Sequence, residues 1–243
     1  MGFHSPRECV YSPTINMKKL FIALCCLSGL LTALRAENYT RKNIITELDS
    51  CEAIIREMQG NVKTAIPAEY LRKAKGIIII NQFQGSFILG VKDGYGVALV
   101  RRNNGKWSVP AFLKAGEISV GLQAGAKAIN AVYLLMDDDA ARLLFKNRMN
   151  LGAEAHAAAG IRAADREAVT KPLPNDTNVL VYTTTEGLFA GAAVKTGYLS
   201  PHDAANEIFY NSKNRMPELL YSDWVTPPPE AHFIMDYVSQ ITQ

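Results

Sequence analysis

Between Ala74 and Phe112 the chain reads AKGIIIINQFQGSFILGVKDGYGVALVRRNNGKWSVPAF, and together with Gly116 this stretch holds seven of the 17 glycines. Two dipeptides in it, Asp93-Gly94 and Asn104-Gly105, separate runs of β-branched residues and supply the positive φ angles that a tight hairpin turn needs. They predict a three-stranded antiparallel meander with strands ending at Val91, spanning Val97 to Val100, and spanning Trp107 to Val109. Ile77 to Ile80 is an unbroken apolar run, the pattern of a strand buried on both faces, and feeds the meander. Nothing in the stretch has the residue types of an active site.

Around this frame the apolar periodicity changes from two to about 3.6. Ile44, Leu48, Cys51, Ile55 and Met58 recur at spacings of four and three, which predicts a helix with one apolar stripe. From Tyr39 to Gln59 that helix carries three basic and four acidic residues, whereas a helix lying on a membrane has a Lys/Arg-rich polar face. It is therefore expected to cover the sheet, with Cys51 as a small core residue. Pro67 and Gly76 bracket a short second helix whose last turn holds Arg72, Lys73 and Lys75. Those three cations, the strongest local basic cluster after the leader, read either as complementing the negative end of a helix or as an anion site for phosphates.

Beyond the meander, Gly116 to Lys127 alternates with period two, Ile129 to Met136 reads as a buried strand, and Asp137-Asp138-Asp139 opens a short helix. Three carboxylates at a helix start are explained by capping and the dipole rather than by a metal. Further strands are expected in Asn150 to Gly160 and Asn178 to Thr185, with a hairpin arm in Gly187 to Val194. Ser200-Pro201-His202-Asp203 is expected to start a helix reaching Tyr210, with Pro201 in its first turn. Pro227 to Pro229 form a spacer, and a final helix from Glu230 to Ile241 is expected to bury Phe233, Ile234, Tyr237, Val238 and Ile241. The fold class is α+β: a single domain with a curved, mostly antiparallel sheet packed by N-terminal, middle and C-terminal helices.

Residues 1–36 stand apart from that domain, which is assigned 37–243. Met17 is read as the start of MKKLFIALCCLSGLLTALRA, a signal peptide with Lys18 and Lys19 before an apolar run and Ala36 at the cleavage point. An exported protein of the periplasm or envelope, or one secreted further, is the expected localisation. Four of the 26 basic residues and one of the 23 acidic ones lie in the leader, leaving 22 of each. A neutral balance gives no general attraction to nucleic acid, so any anionic partner must be held by a local patch. Cys51 is then the one remaining thiol.

Catalytic chemistry finds little to work with. His156, His202 and His232 have no zinc-like spacing, and the chain has no G-x-S-x-G elbow, phosphate loop or H-E-x-x-H. No catalytic residue, metal or cofactor is assigned, and a hydrolase is the least favoured reading.

Five motifs in order, Ile66-Pro67, Ala74-Lys75-Gly76-Ile77, the strand glycines Gly94 and Gly96, Gly105-Lys106-Trp107-Ser108-Val109-Pro110 and Gly187-Leu188-Phe189-Ala190-Gly191, resemble the SYLF domain over roughly Ile44 to Tyr210. The resemblance implies phospholipid or phosphoinositide binding without a reaction, and for fungal members binding of actin filaments. It implies membrane contact through a basic helix ahead of the Ala-Lys-Gly motif. The matching basic groups here are Arg41 and Lys42 before the first helix and Arg72, Lys73 and Lys75 after it. The expected function is thus an envelope protein that binds lipid head groups through a basic patch. A protein-interaction scaffold, with actin or an envelope protein as partner, is the alternative.

Overall fold

The computed structural model describes residues 39–85, 90–119, 127–150, 157–160, 177–184 and 197–243. Thr40 caps helix α1 (Arg41–Gly60): its hydroxyl accepts from the Asn43 N–H at 3.4 Å, and the Asn43 side chain accepts from the Thr40 N–H at 3.2 Å. The expected stripe is buried in full, Ile44, Leu48, Cys51, Ile55 and Met58 with Ile54 added. A short helix α2 (Ala68–Lys73) leads into β1 (Gly76–Gly85), followed by β2 (Gly90–Val100), β3 (Ala111–Ser119) and β4 (Lys127–Leu135). Helix α3 (Asp138–Arg142) runs into a 3-10 turn at Leu143–Phe145, and β5 (Ala157–Ala159), β6 (Val179–Thr183) and β7 (Gly197–Pro201) complete the strands. Helices α4 (Asp203–Tyr210) and α5 (Met216–Tyr221), a 3-10 turn at Pro229–Ala231 and α6 (His232–Ile241) end the chain.

One sheet has the order β5-β6-β4-β1-β2-β3-β7. Every neighbour pair is antiparallel except the three-residue edge strand β5, which runs parallel to β6. Ile77 to Ile80 lie at its centre, each at most 2% exposed, because β1 is covered on both faces. Ile78 and Ile80 join Ala98, Val100, Leu113, Tyr133 and Val181 in a core closed by Ala140, Ala141 and Leu144 from α3 and its 3-10 turn and by Leu219 and Leu220 from α5. The alternate residues face α1 and α4: Cys51 Sγ is 3.8 Å from the Ile79 carbonyl, and Phe112 meets Phe209 edge-to-face at 5.0 Å. Helix α6 packs on α1 and α2. The result is an α+β fold, an open sheet between two helical layers.

Asp93-Gly94 is not a turn. Both residues lie inside β2, opposite Phe83 and Gln82, and residues 86–89 between β1 and β2 lie outside the described residues. Gly96 of this strand serves close approach instead: a Cβ there would run into the Ile79 carbonyl and the Ile80 side chain. Asn104-Gly105 does turn, with Gly105 at φ +80° and the Arg102 N–H bonded to the Lys106 carbonyl at 2.9 Å. The chain after it does not form a meander strand from Trp107 to Val109, however; only Arg101 and Trp107 pair, and the third strand is β3. Pro201 ends β7 rather than starting α4, which is capped by His202. Phe233 is 66% exposed because α6 buries only Ile234 and Val238 of its expected face. Helix α5 has no counterpart among the expected elements. The leader, the part of the Asn150–Gly160 strand at 151–156, and the hairpin arm at 187–194 lie outside the described residues.

Candidate functional site

The five cations singled out by the sequence fall into two groups. Arg41, at the start of α1, donates through Nη1 to the Phe209 carbonyl at 2.6 Å and through Nη2 to both Glu230 oxygens at 3.0 Å, with its guanidinium 5.0 Å from the Phe209 ring centre. It ties α1 to α4 and to the turn before α6. Lys42 beside it is exposed. Arg72, Lys73 and Lys75 sit around the entry to β1, where Lys73 pairs with Glu69 at 2.7 Å on the same helix while Arg72 and Lys75 are exposed. Helix α6 measures the gap between the groups. It begins two residues after Glu230, the partner of Arg41, and ends at Ile241 with Thr242 as its cap, and its ten residues span about 15 Å.

A sixth cation joins the second group. The Lys75 carbonyl accepts from the Arg101 N–H at 2.7 Å, so Arg101 continues β2 beside the residue that begins β1. Its Nη2 donates to the Thr242 carbonyl at 3.0 Å, its guanidinium lies 5.1 Å from the Trp107 ring centre, and its buried Nε has no hydrogen-bond partner. Among the described residues no carboxylate pairs with it, and burial holds its pKa below the usual arginine value. Trp107 Nε1 donates to Thr242 Oγ1 at 2.8 Å, which fixes the end of α6 against the same corner. Arg72, Lys75 and Arg101 thus form a cationic corner held by backbone pairing and a docked helix end. Arg101 was missed because nothing in Val-Arg-Arg-Asn-Asn reveals which arginine turns toward the C-terminus.

Other candidates resolve into structure. The Asp137 carboxylate accepts from the Ala140 N–H at 2.7 Å and caps α3. His202 Nδ1 accepts from the Ala205 N–H at 3.0 Å and caps α4, and His156 lies outside the described residues. Cys51 is wholly buried, and burial pushes its thiol far above its ordinary pKa. Among the described residues no three His, Cys, Asp or Glu side chains come together to hold a metal ion, and no helix is long and apolar enough to cross a membrane.

An open, mostly antiparallel sheet between helical layers, with a cationic corner at one end of its central strands, defines the protein as an α+β domain. Residues 116–241 match the Ysc84 family model, described as Las17-binding protein actin regulator, and the chain belongs to that family. It is 26% identical over 207 residues to SH3 domain-containing YSC84-like protein 1 of Bos taurus, covering 83% of this chain and 60% of that one. LAS seventeen-binding protein 3 of Saccharomyces cerevisiae is 28% identical over 166 residues, covering 68% of this chain and 36% of the relative. Protein YSC84 of the same yeast is 28% identical over 168 residues, with the same shares. The chain therefore spans well under two thirds of the length of these relatives. No solved structure matches it.

Proposed function

We propose that this SYLF-type domain is a non-catalytic docking protein that holds anionic phospholipid head groups at the corner formed by Arg72, Lys75 and Arg101, in an exported, envelope-associated setting. The observation that carries this reading is Arg101: a part-buried guanidinium that pairs with no carboxylate among the described residues, set beside Lys75 by backbone pairing and near the exposed Arg72. Its charge has no anionic partner among the described residues, and a phosphate docking beside the exposed Arg72 and Lys75 would supply one. The apolar stripe of α1 is committed to the core, so contact is through head groups rather than through an inserted helix. The leader read in residues 1–36 supports export.

Co-sedimentation with vesicles tests the reading. Binding is expected with vesicles containing anionic phospholipid and not with neutral phosphatidylcholine alone. At about 1 kcal/mol per basic residue near an anionic surface, Arg72→Glu with Lys75→Glu is expected to lower the bound fraction by tenfold or more. Equal pelleting with both vesicle types, or no response to the double variant, would overturn it.

The family description favours a second reading, a protein partner of the actin-regulatory machinery. It predicts pelleting with actin filaments in the absence of lipid. A chain that pellets with filaments and ignores vesicles would establish this reading over the first.

A further inference from the structure

On the other face of the sheet, the turn at Asn103, helix α3 with its 3-10 extension, and helix α5 enclose a cleft of about 340 Å³ lined by Asn103, Asp138, Arg142, Phe145, Pro217 and Tyr221. Phe145 and Tyr221 meet at its floor with ring centres 5.5 Å apart and planes at 73°, yet they remain 38% and 40% exposed. The two rings are thus held edge to face, each partly open to solvent. The walls are braced from behind. Arg102 donates through Nε to the Leu220 carbonyl at 3.1 Å and through Nη2 to that of Leu219 at 3.4 Å, tying the turn to the end of α5, while the Asp137 cap fixes the start of α3.

The chemistry at the rim is specific. Burial first, and the Asp138 carboxylate second, push the Tyr221 phenol above its usual value, so at neutral pH it is a hydrogen-bond donor. The Asn103 amide is exposed at the opposite wall. Asp138 lies in the cleft, and Asp139 beside it is 88% exposed, 3.6 Å from Arg142.

We propose that this cleft docks a proline-rich peptide in the polyproline II conformation, with a lysine or arginine flanking its prolines. A polyproline II strand makes no internal hydrogen bonds, so it offers free carbonyls together with flat apolar rings. Phe145, Tyr221 and Pro217 offer apolar surface to the rings, the Tyr221 hydroxyl and the Asn103 amide donate to the carbonyls, and Asp138 meets the basic flank while Asp139 holds Arg142. An amphipathic helix needs a continuous apolar groove for anchors at successive turns. Three of the six lining residues here are charged or amide-bearing, which a helix would leave unpaired. The site is separate from the cationic corner and does not depend on lipid binding.

Fluorescence anisotropy on the full chain tests the proposal with a short labelled peptide of repeated Pro-x-x-Pro carrying a flanking arginine. A saturable rise is expected, weaker when glutamate replaces the arginine and lost when glycine replaces the prolines. Tyr221→Phe, which removes only the hydroxyl, is expected to weaken binding by about fivefold. Asp138→Asn with Asp139→Asn is expected to abolish the preference for the arginine flank, with thermal melts confirming that both variants stay folded. Absence of saturation, equal binding of the glycine-substituted peptide, or full-strength binding by both variants would overturn the proposal.

Discussion

Asn206 is 2% exposed, and both ends of its amide are used: Oδ1 accepts from the Phe112 N–H at 2.8 Å and Nδ2 donates to the Phe112 carbonyl at 3.2 Å. The residue does the work of a strand. β7 pairs with β3 only from Leu113 onward, so without the amide the Phe112 N–H would be buried and unpaired on that side. Leaving a buried backbone donor unsatisfied costs about 1–3 kcal/mol, and Asn206→Ala also opens a small void. A loss of about 2–4 kcal/mol is expected in urea unfolding; a change within error would mean that water replaces the amide. Cys51 makes a second test at this scale. Its burial and raised pKa leave almost no thiolate at neutral pH, and thiolate is the reactive form. Iodoacetamide labelling mapped by peptide mass spectrometry is expected to leave Cys51 unmodified in the native chain and to modify it fully in denaturant. Rapid native labelling would instead show that α1 lifts from the sheet.

At the level of elements, the join between α1 and the turn before α6 rests on Arg41 and Glu230, which are 40% and 32% exposed. The Glu230 carboxyl is held below its usual pKa chiefly by a hydrogen bond from its own backbone N–H, against which burial works, with the Arg41 hydrogen bond and charge adding to the lowering. A carboxyl whose pKa is lower in the folded chain stabilises it above the unfolded value near 4.5, and that contribution is lost as the pH falls through the folded value. Glu230→Gln is therefore expected to lower stability by about 0.5–1 kcal/mol at pH 7, with the difference from the parent chain vanishing once the pH is below the folded pKa. A difference that persists in acid would assign the effect to packing. Elements with strong local patterns were legible in the sequence: the stripe of α1, the isoleucine run of β1, the β-branched β6. The elements that escaped it are set by contacts distant in sequence. Asp93-Gly94 carries a turn signal yet lies inside β2, where Gly96 lets the strand press against β1, and α5, which has no expected counterpart, is tied through its carbonyls to Arg102 more than a hundred residues earlier. The corner was half legible for the same reason: Arg72 and Lys75 are adjacent in the chain, whereas Arg101 reaches them only through strand pairing.

Across the whole molecule, the connection from Arg101 to Pro110 ties the two proposed sites together while keeping them apart. Arg101 turns toward Thr242 and the layer of α1 and α6, Arg102 toward α5 and the opposite layer, so two consecutive residues brace opposite faces of one sheet. A sheet core packed on both faces is stiff, and ligands on opposite sides of it do not compete for surface. Protein bound to anionic vesicles should therefore still capture the arginine-flanked proline peptide, and flotation on a density gradient reads this directly. Labelled peptide is expected to rise with vesicles only when the protein is present. Arg72→Glu with Lys75→Glu should remove protein and peptide together, while Tyr221→Phe should reduce the peptide and leave the protein. If peptide is instead released when vesicles bind, the two faces are coupled through the 101–110 connection, and the domain exchanges a membrane for a peptide instead of bridging them.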